Sequence, residues 1–367
     1  MGHESRVSAL RGAMNGAGAA LSVIGLSANM RYLTGFIDEQ GERQLLLLIP
    51  AKGEALLVVP ELYADQVRLH NPPATIHTWS DGDDPTRIVD HQMADTLRGQ
   101  EGRILIDDTL WAMFLLPIEQ LFSERDFGLV SEVVTPLRMC KTEEEIAAMR
   151  KAGEIADTAF EDAVAEAVAG CTELQMAGRL EASMLDHGAD GIAFETLVAS
   201  GPNSALPHHR AGGRRIGAGD IVILDYGCRV DGYCSDISRT IVCGEPTEEM
   251  EQVHDAVQRA HWAARERVGI GIQAEEVDAA ARDVLTSAGY GEQFVHRTGH
   301  GIGLDVHEPP YIVRGNAEVL KKGMSFSIEP GAYLTGSFGV RIEDVVVVET
   351  SGAVSMTVAP QELRRVP

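Results

Sequence analysis

The stretch Ile221-Val222-Ile223-Leu224-Asp225-Tyr226-Gly227-Cys228-Arg229-Val230-Asp231-Gly232-Tyr233-Cys234-Ser235-Asp236 decides the reading of this chain. Asp231-Gly232 is a strong two-residue hairpin signal that favours a type I′ turn. With these two residues in the turn, Val230 faces Tyr233, and counting back along both strands sets Asp236 opposite Gly227. Asp225 and Gly227 share parity, so Asp225 and Asp236 project from one face as diagonal neighbours. Gly227 carries no side chain, which leaves space between the two carboxylates. Asp225 also ends an apolar run, where a charged group is costly unless it is paired or bound to a metal.

Further acidic and imidazole groups follow downstream. His296, His300 and His307 fall within twelve residues, in and just after His296-Arg297-Thr298-Gly299-His300-Gly301-Ile302-Gly303. That segment lacks the lysine and the strand-to-helix context of a phosphate loop. Imidazole is a common metal ligand, and the glycines let backbone approach a metal centre closely. Glu329 sits where the run Phe326-Ser327-Ile328 ends before the turn residues Pro330-Gly331. In Arg341-Ile342-Glu343-Asp344-Val345, alternation puts Arg341 and Glu343 on one face with Val345 and Val347, and Asp344 on the other. Glu343 needs a partner there, either Arg341 or a metal. Asp225, Asp236, Glu329, Glu343 and His300 together form a hard, oxygen-rich set that suits two divalent ions better than one zinc. In two-metal hydrolytic sites the ions lie about 3.5 to 4 Å apart, share bridging carboxylates and acidify a bridging water toward hydroxide.

Around this core the pattern implies two domains. Residues 1–135 show short apolar runs: 44–50 and 54–60 flank Ala51-Lys52-Gly53 like a hairpin, 103–107 resembles another strand, and 81–85 is a polar loop. This half is α/β. Pro136 interrupts the chain, and Thr142-Glu143-Glu144-Glu145 then forms a capping box that opens a long amphipathic helix and the second domain, 136–367. Thr172-Glu173-Leu174-Gln175 repeats the signature before a second helix. Strand-like runs follow at 194–199, 221–226 and 233–243, helices at 247–268 and 274–288, and strands at 324–328 and 340–349. The order helix, helix, strands occurs twice and suggests two related halves.

Composition narrows the function. A length of 367 residues favours two domains, and 44% hydrophobic with 23% charged residues is the make-up of a soluble globular chain. A net charge of −24 excludes nucleic acid as a natural partner, because phosphate binding needs a basic footprint. No apolar stretch is long enough for a membrane span and the N-terminus does not read as a signal peptide, so a cytoplasmic location is expected. Cys140, Cys171, Cys228, Cys234 and Cys243 show no CxxC spacing and read as reduced, packed thiols. Lysine occurs only at positions 52, 141, 151, 321 and 322, which fits either a salt-rich cytoplasm or a high-GC genome.

The motifs resemble those of the pita-bread metallopeptidases, in particular the aminopeptidase P and prolidase branch. The likeness rests on Ile223-Leu224-Asp225-Tyr226-Gly227, Ser235-Asp236-Ile237-Ser238-Arg239-Thr240, Gly299-His300-Gly301-Ile302-Gly303, Ile328-Glu329-Pro330-Gly331 and Arg341-Ile342-Glu343-Asp344. It extends to Ser204-Ala205-Leu206-Pro207-His208-His209, to Asp305-Val306-His307-Glu308, and to Asn29-Met30-Arg31-Tyr32-Leu33-Thr34-Gly35-Phe36 in the first domain. The resemblance implies a creatinase-like α/β N-terminal domain, an α+β pita-bread catalytic domain, and hydrolysis of Xaa-Pro bonds in small peptides with proline after the scissile bond. One metal would be held by Asp225, Asp236 and Glu343, the other by Asp236, His300, Glu329 and Glu343. The resemblance further implies Mn²⁺, with Co²⁺ or Zn²⁺ as substitutes, and a homodimer. Glu329 would act as general acid and base, and His307 would stabilise the oxyanion. His208 and His296 would meet substrate near the scissile bond, Tyr333 would support it, and Arg341 would hold Glu343 or meet substrate. Trp79 is a candidate lid aromatic. Dipeptide and longer-peptide cleavage both remain open at this point. Two alternatives stand beside this reading: a two-metal hydrolase of phosphoesters or other activated esters, and a metal-free binding protein on the same fold.

Overall fold

In the computed structural model, which describes residues 2–367, Leu46–Pro50 and Leu56–Pro60 pair antiparallel, as the sequence pattern predicts. They lie inside a six-stranded mixed sheet of order Thr75–Trp79, Leu56–Pro60, Leu46–Pro50, Ala19–Ile24, Arg103–Ile106, Phe127–Leu129. Leu21, Val23, Leu48 and Val58 of these strands pack with Val89, Met93 and Ile118 of the helices Pro85–Thr96 and Ala112–Leu121. Trp79 belongs to this core rather than to a lid: it is 9% exposed, and its indole N–H donates to the Gln44 carbonyl at 3.1 Å. A buried indole with its N–H satisfied gains both apolar contact and a hydrogen bond, which holds the ring inward. The motif at 29–36 forms the helix Ala28–Thr34, capped by the Ser27 hydroxyl at one end and by left-handed Gly35 at the other.

Pro136 does not interrupt the chain. It lies inside the helix Ser131–Met139, where it removes one backbone donor only three residues from the helix end. The chain divides into two compact units after Arg138.

In the second unit both predicted capping boxes close, Thr142 with Glu145 and Thr172 with Gln175. They open the helices Glu143–Ala165 and Glu173–Asp186. A second helix pair, Glu248–Arg267 and Ala274–Ser287, occupies the equivalent place in the second half. Between them runs a nine-stranded sheet whose main order is Glu308–Ile312, Gly299–Gly301, Ser325–Ile328, Glu343–Glu349, Ile237–Cys243, Ile221–Tyr226, Leu197–Ser200. The first pair packs Ala156, Phe160 and Leu180 on Val222, Leu224, Ile237 and Ile241. The second packs Val253, Val257 and Val277 on Phe326, Ile328, Val346 and Val348. Two helix, helix, strand halves are therefore present.

Strand alternation then settles what the other face carries. With those residues turned to the helices, Asp225, Asp236, Ser238, Ser327, Glu329 and Glu343 have the opposite parity and face away from them. Two predicted strands are broken, into Tyr233–Cys234 and Ile237–Cys243, and into Phe338–Arg341 and Glu343–Glu349. The first break comes where the hairpin leaves the large sheet for a three-stranded one with Gly191–Ile192 and Cys228–Val230. All five cysteines are free thiols. Among the described residues no helix is long and apolar enough to cross a membrane.

Candidate metal centre

The hairpin has the register read from its turn. Val230 pairs with Tyr233, Arg229 with Cys234, Tyr226 with Ile237 and Asp225 with Ser238, so Asp236 falls against Gly227. Asp231 and Gly232 have φ of 49° and 79°, the positive pair that a type I′ turn needs. The role of Gly227 differs from the expectation. A Cβ there would stand 2.0 Å from the Ser235 carbonyl oxygen, so close backbone approach, not open space, demands glycine. Gly299 is constrained likewise, with a Cβ position 1.8 Å from the Ser327 carbonyl oxygen.

Ligand atoms of Asp236, His300 and Glu343 all lie within 4.8 Å of one another. Glu329 joins through His300, whose Nε2 is 3.3 Å from Glu329 Oε1 and 3.6 Å from Asp236 Oδ2. Asp225 is drawn instead to Arg341, with which it forms an ion pair. Arg341 thus takes Asp225 as its direct partner. Glu343 is reached only through Ser238, whose hydroxyl donates to Glu343 Oε2 at 2.8 Å and accepts from Arg341 Nε at 2.9 Å. Ser327 acts similarly on the other side, accepting from the His300 backbone N–H and donating to Glu329. Neither serine was singled out from the sequence. The period of two that aligned Asp236 and Glu329 also aligns Ser238 and Ser327, and that was the signal available.

Electrostatics mark the cluster as built for cations. Burial, and then the charges of Glu343, Asp225 and Glu329, push the Asp236 carboxyl well above its ordinary range. Burial followed by Glu329 and Asp225 does the same to Glu343. Burial raises Glu329 to about 7 against the opposing charge of Arg341. His300 is pushed down to about 3 by burial and by His307, which keeps its imidazole neutral and able to donate a lone pair. Asp225 Oδ1, Asp236 Oδ1 and Glu343 Oε1 are buried without any hydrogen-bond donor. Three orphaned carboxylate oxygens beside a neutral imidazole fit hard divalent cations, which would replace the missing donors and cancel the repulsion.

The cluster lines a cavity of about 560 Å³. His208, His296, His307, Arg341 and Arg297 also line it. The His307 ring lies edge-on to that of His300 at 4.1 Å. His296 is lowered to about 4, chiefly by burial, and its Nε2 is 3.0 Å from the Tyr333 hydroxyl. Tyr333 is buried behind the cavity wall, where its hydroxyl also accepts from Arg341 at 2.8 Å. It steadies two lining residues. Arg297, passed over in the sequence, stacks its guanidinium over Tyr311 at 4.6 Å and makes no ion pair among the described residues.

A creatinase-type domain followed by a pita-bread domain with this cluster defines a metallopeptidase. The chain belongs to metallopeptidase family M24, whose model matches residues 147–350, and the model of the creatinase/prolidase N-terminal domain matches residues 6–140. Membership of this family implies divalent metal ions. The chain is 42% identical over 357 residues to a probable dipeptidase PepE of Mycobacterium tuberculosis, covering 96% of this chain and 93% of that one. It is 34% identical to an Xaa-Pro dipeptidase of Lactobacillus delbrueckii, over 95% and 96% of the two chains. Among solved structures, a prolidase of Thermococcus sibiricus superposes with a TM-score of 0.95 at 40% identity, over 100% of both chains.

Proposed function

We propose that this chain is an Xaa-Pro peptidase with a preference for dipeptides, working through two divalent ions, Mn²⁺ first and Co²⁺ or Zn²⁺ as substitutes. The observation that carries this reading is the meeting of Asp236, His300 and Glu343 within 4.8 Å, with orphaned carboxylate oxygens, on the wall of one cavity. Asp225 and Glu329 complete the ligand set. Ions bound there supply a water acidic enough to attack a carbonyl at neutral pH.

The residues around them have separable tasks. Glu329 takes the proton of the attacking water and returns it to the departing nitrogen. That return matters for a proline bond, because the amide nitrogen carries no hydrogen and must leave as a protonatable secondary amine. His307 faces the place where negative charge develops on the carbonyl oxygen, and His208 and His296 flank the scissile bond. Arg341 orients Asp225 and, through Ser238, Glu343. Names of the similar dipeptidases and the unpaired Arg297 both support a substrate that ends in a free carboxylate.

The test is a time course with Mn²⁺ on an Xaa-Pro dipeptide, a longer peptide beginning Xaa-Pro, and a dipeptide lacking proline. Fast cleavage of the first alone is expected. Equal cleavage of the third would remove the proline preference, and faster cleavage of the second would select the aminopeptidase mode.

A further inference from the structure

His208 lines the cavity, yet no hydrogen bond holds its exposed imidazole among the described residues. Its place is set by its backbone alone. That backbone belongs to the segment 201–214, which leaves the strand Leu197–Ser200 through the short 3-10 helix Gly201–Ala205 and then runs as a loop without a strand of its own.

One buried carboxylate gathers this loop. Glu173, wholly inaccessible to solvent, accepts at Oε1 from the Ser200 N–H at 2.9 Å, the Ser200 hydroxyl at 2.7 Å and the Asn203 amide at 2.9 Å. At Oε2 it meets His209 Nε2 at 2.9 Å and accepts from the Gly212 N–H at 3.2 Å. Burial alone would raise this carboxyl; the bonds from His209, Ser200 and Asn203 outweigh it and leave it below its ordinary value. A carboxylate at the first position of a helix commonly serves that helix. The oxygens of Glu173 are spent instead on Ser200 at the end of the strand and on the segment after it, on both sides of His208. The far wall adds a second grip, with the Gly339 N–H donating to Ser204 Oγ at 2.9 Å and Arg341 to the Pro207 carbonyl at 3.3 Å.

We infer that Glu173 is a positioning residue of the active site, acting on substrate through the backbone of His208. The inference rests on the reading of His208 as a substrate contact. It predicts that an acceptor-only group is required, since a glutamine of the same size would turn N–H groups toward donors.

The experiment is a double-mutant cycle of Glu173→Gln and His208→Ala on an Xaa-Pro dipeptide with Mn²⁺, with metal content, thermal unfolding and amide exchange of 201–212 measured on each protein. Glu173→Gln should lower kcat/KM by about tenfold to a hundredfold at unchanged metal content and speed exchange in the loop. His208→Ala should then cost little more in the Glu173→Gln background, because both remove the same contact. Multiplying effects, or unchanged loop exchange, would overturn the inference. If Glu173→Gln unfolds below the assay temperature, His209→Gln, which alters one of the five contacts, enters the same cycle. A wild-type chain that leaves Xaa-Pro bonds intact would overturn the proposed function alone, and loop exchange would still decide the role of Glu173.

Discussion

Asp236 and His300 stand at the centre of the candidate ligand set, each within reach of a second ligand. Asp236→Asn or His300→Ala should lower turnover by about a thousandfold or more while the circular dichroism spectrum stays native, with metal loss seen by elemental analysis. Turnover near wild type in either variant would break the assignment. Arg297 offers a sharper test of substrate class, because its charge faces the cavity unpaired. Arg297→Met should raise KM for an Xaa-Pro dipeptide by about tenfold to a hundredfold and leave the corresponding Xaa-Pro amide nearly unaffected. Equal losses on acid and amide would assign Arg297 a structural role. At this scale the sequence was informative where a side chain's chemistry was out of place, such as a carboxylate ending an apolar strand. It was silent about Arg297, since an arginine between a histidine and a threonine looks like any solvated charge.

The strands holding these groups depend on a buried pair on the opposite face of the sheet. Arg239 donates to the carbonyls of Ser238, Glu343 and Ala359 and forms an ion pair with Asp344 at 2.7 Å. Asp344 is held well below its ordinary range, burial notwithstanding, by Arg239 and His261. Its contribution to stability is therefore present above the ordinary carboxylate range and lost only as pH falls through its lowered value. Arg239→Met leaves Asp344 buried without its cation and should cost about 3 to 5 kcal/mol in urea unfolding of the metal-loaded protein. A loss of unfolding free energy under about 1 kcal/mol would show that Asp344 is already satisfied by its other partners. Capping boxes, helix order and hairpin register were all legible at the element scale, because each depends on residues within a few positions of one another. The breaks at Asp236 and Ile342 were not, as they arise where a strand changes sheets.

For the whole molecule, the closeness of four carboxylates makes the metal-free state pH-sensitive. Glu329 rises to about 7 from its ordinary value of 4.5, and Asp236 and Glu343 are pushed well above their ordinary ranges. Groups raised in the folded state add stability that is complete below the unfolded value and lost as pH climbs through the folded one. The buried His296 and His300, held neutral in the folded protein, oppose this loss until pH passes about 6.5. Protein stripped by a chelator should therefore melt at steadily lower temperature from about pH 6.5 upward through 7, while the metal-loaded protein should not. Metal binding at pH 7 should release protons, seen in calorimetry as a heat that varies with buffer ionisation enthalpy. A buffer-independent heat would mean that the carboxylates are already ionised before the metal arrives.

The sequence by itself determined the candidate ligands' residue types, the face on which each lies, and the two-half plan of the second unit. Turn chemistry and a period of two or 3.6 residues are local properties that short segments carry intact. Tertiary structure alone decided the partnerships. Arg341 chose Asp225 across 116 residues, and Ser238 reached Glu343 across 105. Trp79 turned into its own core, and Glu173 took hold of the loop bearing His208. Such pairings follow from strand order and from how completely each charge is buried, and neither is written in the spacing of neighbouring residues.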